Sequence, residues 1–147
     1  MQGRVRPMFH LSLMTPLLAL VCWTLVMWLW MYATRIPAMQ KAGLDPAKIK
    51  QKSDFDGLPI QVRQVADNYN HLHEQPVLFY ALCLYAHTQG ATTELTVLAA
   101  WAYVALRVAH SIFQATVNFV PVRFALFLLG TLCLFLIAGV QVGALFA

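Results

Sequence analysis

Four apolar segments constrain this chain more than any other feature. They run from about Met8 to Thr34, Glu74 to Thr88, Leu95 to Val117 and Val120 to Phe146. A helix rising about 1.5 Å per residue needs about 20 apolar residues to cross a bilayer. The first, third and fourth segments reach that length. The second reaches it only by extending backward through Gln61–His73, as a helix with a wet half and a membrane half. Of the 147 residues, 60% are hydrophobic and 11% charged. A soluble domain has about 45–50% and about 25%, so the partner of this chain is the lipid bilayer. The expected architecture is one all-α domain, a four-transmembrane-helix bundle with helices over about 8–34, 62–88, 95–117 and 120–146.

Arg4 and Arg6 precede the first segment, as in a signal peptide. The apolar run is too long for a typical signal core, and no A-x-A-like cleavage site follows, so a retained helix is expected. Trp23, Trp28, Trp30 and Tyr32 suit an interfacial anchor near its far end. The stretch Arg35–Pro59 is the one long hydrophilic loop, broken by Pro37, Gly43, Pro46, Gly57 and Pro59. It carries Arg35, Lys41, Lys48, Lys50 and Lys52, whereas residues 89–94 have no Lys or Arg. The positive-inside rule then makes this loop cytoplasmic and puts both termini on the opposite side. The turn over Asn118–Arg123 falls on the loop's side. Cys22, Cys83 and Cys133 lie far apart in apolar stretches. They read as small buried hydrophobes, and no spacing calls for a metal or a nucleic-acid partner.

Polar residues inside the apolar segments mark candidate sites, because ionisable groups at membrane depth are costly. Arg107, His110, Gln114 and Asn118 fall on one face of the third helix. Arg63, Asp67, Asn70, His71 and Glu74 share one face of the second. Pro76 then removes a backbone donor and favours a bend. Arg63 and Asp67 are spaced to pair at i, i+4, and Arg107 is the expected partner for Glu74. Arg123 sits beside the positive N-terminal end of the fourth helix, which makes sense if an anion binds there. Plainer readings stand beside these. The third-helix stripe is also what interhelical hydrogen bonding requires, and the second-helix stripe is also a solvated helix foot. Arg123 and Arg35 also suit snorkelling anchors.

The run Arg107-Val108-Ala109-His110-Ser111-Ile112-Phe113, followed by Val120-Pro121-Val122-Arg123, resembles the MAPEG family, membrane-associated proteins in eicosanoid and glutathione metabolism. Glu74-Gln75-Pro76-Val77-Leu78-Phe79-Tyr80 is similar to that family's bacterial branch. The resemblance implies a homotrimer, with glutathione as co-substrate in a cytoplasmic-side pocket between subunits and lipophilic small molecules entering from the bilayer. It implies that Arg123 stabilises the glutathione thiolate. It implies that Arg35, His71, Glu74, Arg107, His110 and Gln114 line the cofactor site. A thiol with a pKa of about 8.5 must ionise to attack, and a guanidinium in a dry pocket favours the thiolate.

Three positions depart from the family's pattern. Its Arg-x3-Asn-x2-Glu on the second helix reads Asp67-x3-His71-x2-Glu74 here, and its third-helix tyrosine is Gln114. An acid in place of the arginine repels an anionic tripeptide. Three functions follow: a glutathione transferase or peroxidase acting on lipophilic substrates, a non-catalytic lipid-binding or scaffold protein, and a small transporter. Polar groups gathered at one membrane side rather than the midplane argue against transport.

Overall fold

The computed structural model describes residues 12–146. Arg4, Arg6 and the expected helix start at Met8 lie outside the described residues. All regular structure within 12–146 is helical: α1 (Met14–Lys41), α2 (Ile60–His71), α3 (Pro76–Thr88), α4 (Glu94–Ala115) and α5 (Val120–Ala144), with two short 3₁₀ turns between α1 and α2. Helices α1, α4 and α5 are long and apolar enough to cross a membrane. Helix α3 has 13 residues, about 20 Å at 1.5 Å per residue, less than a hydrocarbon core of about 30 Å.

The helices present the inverse of a soluble surface. Leu18, Leu25, Leu29 and Ile36 on α1 and Phe124, Leu132 and Phe135 on α5 are exposed, a continuous apolar exterior that only lipid or other apolar protein satisfies. The buried positions of α1 are Pro16, Leu20, Met27 and Met31, at helical spacing. Helix α4 is the centre of the bundle. It packs most extensively on α5 and also meets α1 and α2. Its inward stripe is Ala99, Ala100, Tyr103 and Val104, then Arg107, His110, Ser111 and Gln114. Two apolar clusters result. One gathers Leu20, Phe79, Cys83, Tyr103 and Ile137, the other Met27, Met31, Val65, Leu72 and Ala115.

Two boundaries differ from expectation. Helix α1 continues through Pro37 to Lys41, so Arg35 lies within it rather than in a loop. One proline removes a single backbone donor; what stops the helix is Gly43 at φ +64°. There the Leu44 N–H donates to Met39 O and the Gly43 N–H to Gln40 O, the paired bonds of a left-handed C-terminal cap. The expected helix over 62–88 is interrupted between α2 and α3. Pro76 has no N–H to give to Leu72 O, and the chain turns through tighter bonds from His73 N to Asn70 O and Glu74 N to His71 O.

At the α4 start, Thr93 and Thr96 cap each other, each hydroxyl accepting the other's backbone N–H. Asn118 at φ +53° turns the chain from α4 into α5, a conformation asparagine tolerates better than most residues.

Gly43→Ala will lower the thermal unfolding midpoint in detergent, since a Cβ at positive φ costs about 1–2 kcal/mol. Gly57→Ala, in open space without positive φ, will leave the midpoint unchanged.

Candidate functional site

The interruption after α2 places several polar side chains at one end of the bundle. Asp67, Asn70, His71 and Glu74 arrive from α2 and the turn after it, Gln114 from α4, Asn118 and Arg123 from the α4–α5 corner, and Lys52 from the α1–α2 loop. With Gln64 they line a cavity of about 310 Å³ whose lining residues are all polar. A second cavity of about 210 Å³ is lined by His71, His110, Val120, Arg123, Phe124 and Phe127. His71 and Arg123 border both. The loop and the α4–α5 turn therefore lie at the same end of the molecule.

Arg123 is positioned by the turn it follows. Its Nη1 donates to Asn118 Oδ1 at 2.6 Å, so the residue that reverses the chain also aims the guanidinium. Its buried Nε has no partner. Proline at the start of α5 supplies a fixed φ where no backbone donor is needed.

Arg107 is 2% exposed. Its Nε donates to the Tyr103 hydroxyl at 3.1 Å, and its guanidinium lies 5.3 Å from the Tyr103 ring centroid and 5.0 Å from that of Phe127. Tyr103 donates to Gln75 Oε1 at 3.4 Å, Gln75 Nε2 to Thr131 Oγ1 at 2.7 Å, and Thr131 to Phe127 O at 2.9 Å. This chain ties α4 to the start of α3 and to α5. Nη1 and Nη2 of Arg107 are buried without an acceptor.

The expected ion pairs are exchanged. Glu74 does not reach Arg107. Its Oε2 meets His71 Nδ1 at 2.7 Å while the side chain stays 67% exposed. A carboxylate near water avoids the desolvation that a buried pair requires. Asp67 pairs with Lys52 at 2.7 Å and Arg63 with Asp56 at 3.5 Å, because the loop folds back across α2. Arg35 lines neither cavity; its guanidinium lies 4.3 Å from the Phe55 ring centroid and steadies that loop. Asp54 closes the loop on itself, accepting from the Lys50 and Gln51 N–H groups. The Lys50 bond, then the Gln51 bond, holds its carboxyl below the ordinary value. That hold is present through neutral pH and is lost as pH falls through the lowered value.

Of the residues singled out from the sequence, the polar cavity gathers Asp67, Asn70, His71, Glu74, Gln114, Asn118 and Arg123. His110 lies behind His71 at 5.0 Å between ring centroids, and Arg107 forms a buried layer beside Phe127. Lys52, Gln64, Tyr103 and Thr131 were not anticipated as site residues. Tyr103 carried a readable signal, four residues before Arg107 on the same face. Lys52 carried none, since its arrival depends on the loop's path. Among the described residues no group of three His, Cys, Asp or Glu side chains could hold a metal ion.

The all-helical fold, its apolar exterior and the polar end cavity define an integral membrane protein with an internal polar site. The chain belongs to the MAPEG family, whose family model matches residues 13–143. No match was found among curated proteins or among solved structures.

Tyr103→Phe will lower the thermal unfolding midpoint, because it removes the acceptor from a buried charged donor, a loss of about 1–3 kcal/mol. Tyr85→Phe, an exposed tyrosine on α3, will leave it unchanged.

Proposed function

We propose that this protein is a glutathione transferase or peroxidase acting on lipophilic substrates at the membrane. The observation that carries the reading is the place of Arg123, held at 2.6 Å by Asn118 and bordering both an all-polar cavity and one walled by Phe124 and Phe127. A thiol-bearing peptide and an apolar electrophile need such a junction. The Arg123 guanidinium pairs with the thiolate, favouring ionisation of a thiol whose ordinary pKa is about 8.5. Arginine stays charged throughout, so it stabilises the thiolate electrostatically and takes no proton.

The cavity's donor set fits the tripeptide in part. Gln64, Asn70 and Gln114 offer amides for its peptide groups, and Glu74 offers a carboxylate for its ammonium. The Lys52 charge is already met by Asp67. The remaining carboxylate partners come from a neighbouring copy in a homotrimer, to which Arg35 contributes; Arg107, 2% exposed, is enclosed in its own bundle. The broad apolar exterior supports that assembly, as does a groove of about 560 Å³ between α3 and α5 walled by Leu78, Leu82, Leu134 and Phe135. Lys41, Lys48, Lys50 and Lys52 around the α1–α2 loop support a cytoplasmic position for the site, with both termini on the opposite side.

A second reading, a non-catalytic lipid-binding member, is favoured by the acid Asp67 in the cavity wall. One titration separates the two. Glutathione added to the folded protein in detergent at neutral pH will raise the ultraviolet absorbance of a thiolate. Arg123→Leu will abolish that signal and lower kcat/KM toward an apolar electrophile by about 10²-fold or more. No thiolate signal at millimolar glutathione overturns the enzyme reading.

A further inference from the structure

We propose that His71, oriented by Glu74, is the general base that takes the proton from the thiol. The inference rests on the thiol-transfer reading and adds a catalytic residue to it. An asparagine in its place could not accept that proton.

The geometry gives His71 the parts a base needs. Its Nδ1 lies 2.7 Å from Glu74 Oε2. A carboxylate only accepts, so Nδ1 carries the hydrogen and Nε2 is left as the acceptor. The ring packs against His110, 5.0 Å away, and Phe127, stacked at 5.7 Å. Its side chain is only 19% exposed. It borders both cavities beside Arg123, so one residue faces the thiol site and the electrophile site together. The charged and titratable groups around it come from each packed element: Glu74 and Asp67 from its own segment, His110 and Arg107 from α4, Arg123 from α5 and Lys52 from the loop. Helix α1 contributes no residue to either cavity. Glu74 favours the imidazolium that forms, and Arg123 favours the thiolate, so the two charges created by the transfer have separate partners.

The step balances. The S–H bond breaks, its electron pair stays on sulfur and the proton moves to Nε2. In addition to an activated double bond, the sulfur pair forms the C–S bond at the β-carbon. The displaced π pair is carried at the α-carbon, which takes the proton back from His71. The electrophile class this favours is the α,β-unsaturated carbonyl, which needs that returned proton, over substrates that merely expel a leaving group.

The test compares wild type with His71→Asn and Glu74→Gln in detergent, using glutathione with an α,β-unsaturated aldehyde and, separately, S-methylglutathione, which has no thiol proton. S-methylglutathione will bind wild type, and an unchanged helical circular dichroism spectrum in His71→Asn will report an intact fold. Wild-type kcat/KM will be high at neutral pH and will change little toward the thiol range. In His71→Asn it will be lower by about 10²-fold at neutral pH and will keep rising into the thiol range. Glu74→Gln, which removes the anionic partner of His71 Nδ1, will lower kcat/KM at neutral pH in the same direction. Unchanged profiles with intact binding and turnover overturn the base and leave the transferase reading standing. Absence of S-methylglutathione binding and of turnover in wild type overturns both.

Discussion

A guanidinium enclosed in a helical membrane protein is the constraint on which this structure depends. Arg107 sits on the most central helix, and its charge cannot be left to lipid. One nitrogen is met by Tyr103 and the flat faces of the cation by two aromatic rings. The hydroxyl that serves it is itself held by Gln75, and Gln75 by Thr131. A single buried charge thus fixes how α3, α4 and α5 meet. It also separates an apolar half of the bundle from a polar end. In a low-dielectric interior such a network is strong when its members are satisfied, and the two free nitrogens of Arg107 mark where this one is incomplete within one chain.

The polar end is assembled from features that first serve the backbone. Pro76 interrupts the helix and brings His71 and Glu74 together at the break. Asn118 turns α4 into α5 and holds Arg123. The loop, stapled by Asp54 and packed through Phe55 on Arg35, delivers Lys52 to Asp67. This last pair neutralises the Asp67 carboxylate in the cavity wall. Arg123 is consequently the cation of the cavity whose charge is not met by a carboxylate among the described residues. That leaves it free for an anion at the boundary between a polar and an aromatic-walled space.

Much of this was legible in the sequence, and the reasons differ by element. The membrane helices follow from apolar run length, and the α4 stripe from polar residues recurring at helical spacing in an apolar background. Both are local signals. The Glu74 partner is not legible, because the break at Leu72–Gln75 decides where that carboxylate stands and the local pattern predicts one continuous helix. The end of α1 lies beyond its expected position because Pro37 leaves the helix intact and Gly43 supplies the left-handed cap. The one sequence signal for Tyr103 is its place one turn from Arg107 on the same face. Lys52 depended on the tertiary path of a loop, which no local pattern encodes.

The central claim is that water and lipid meet at Arg123, with the polar stripes facing an internal wet cavity. Spin labels at Asn70→Cys and Phe124→Cys, in a protein with Cys22, Cys83 and Cys133 replaced and reconstituted in bilayers, test it directly. The label at position 70 will relax with a water-soluble paramagnetic agent, and the label at 124 with oxygen dissolved in lipid. Lipid-phase relaxation at position 70, or equal water access at both positions, would contradict it.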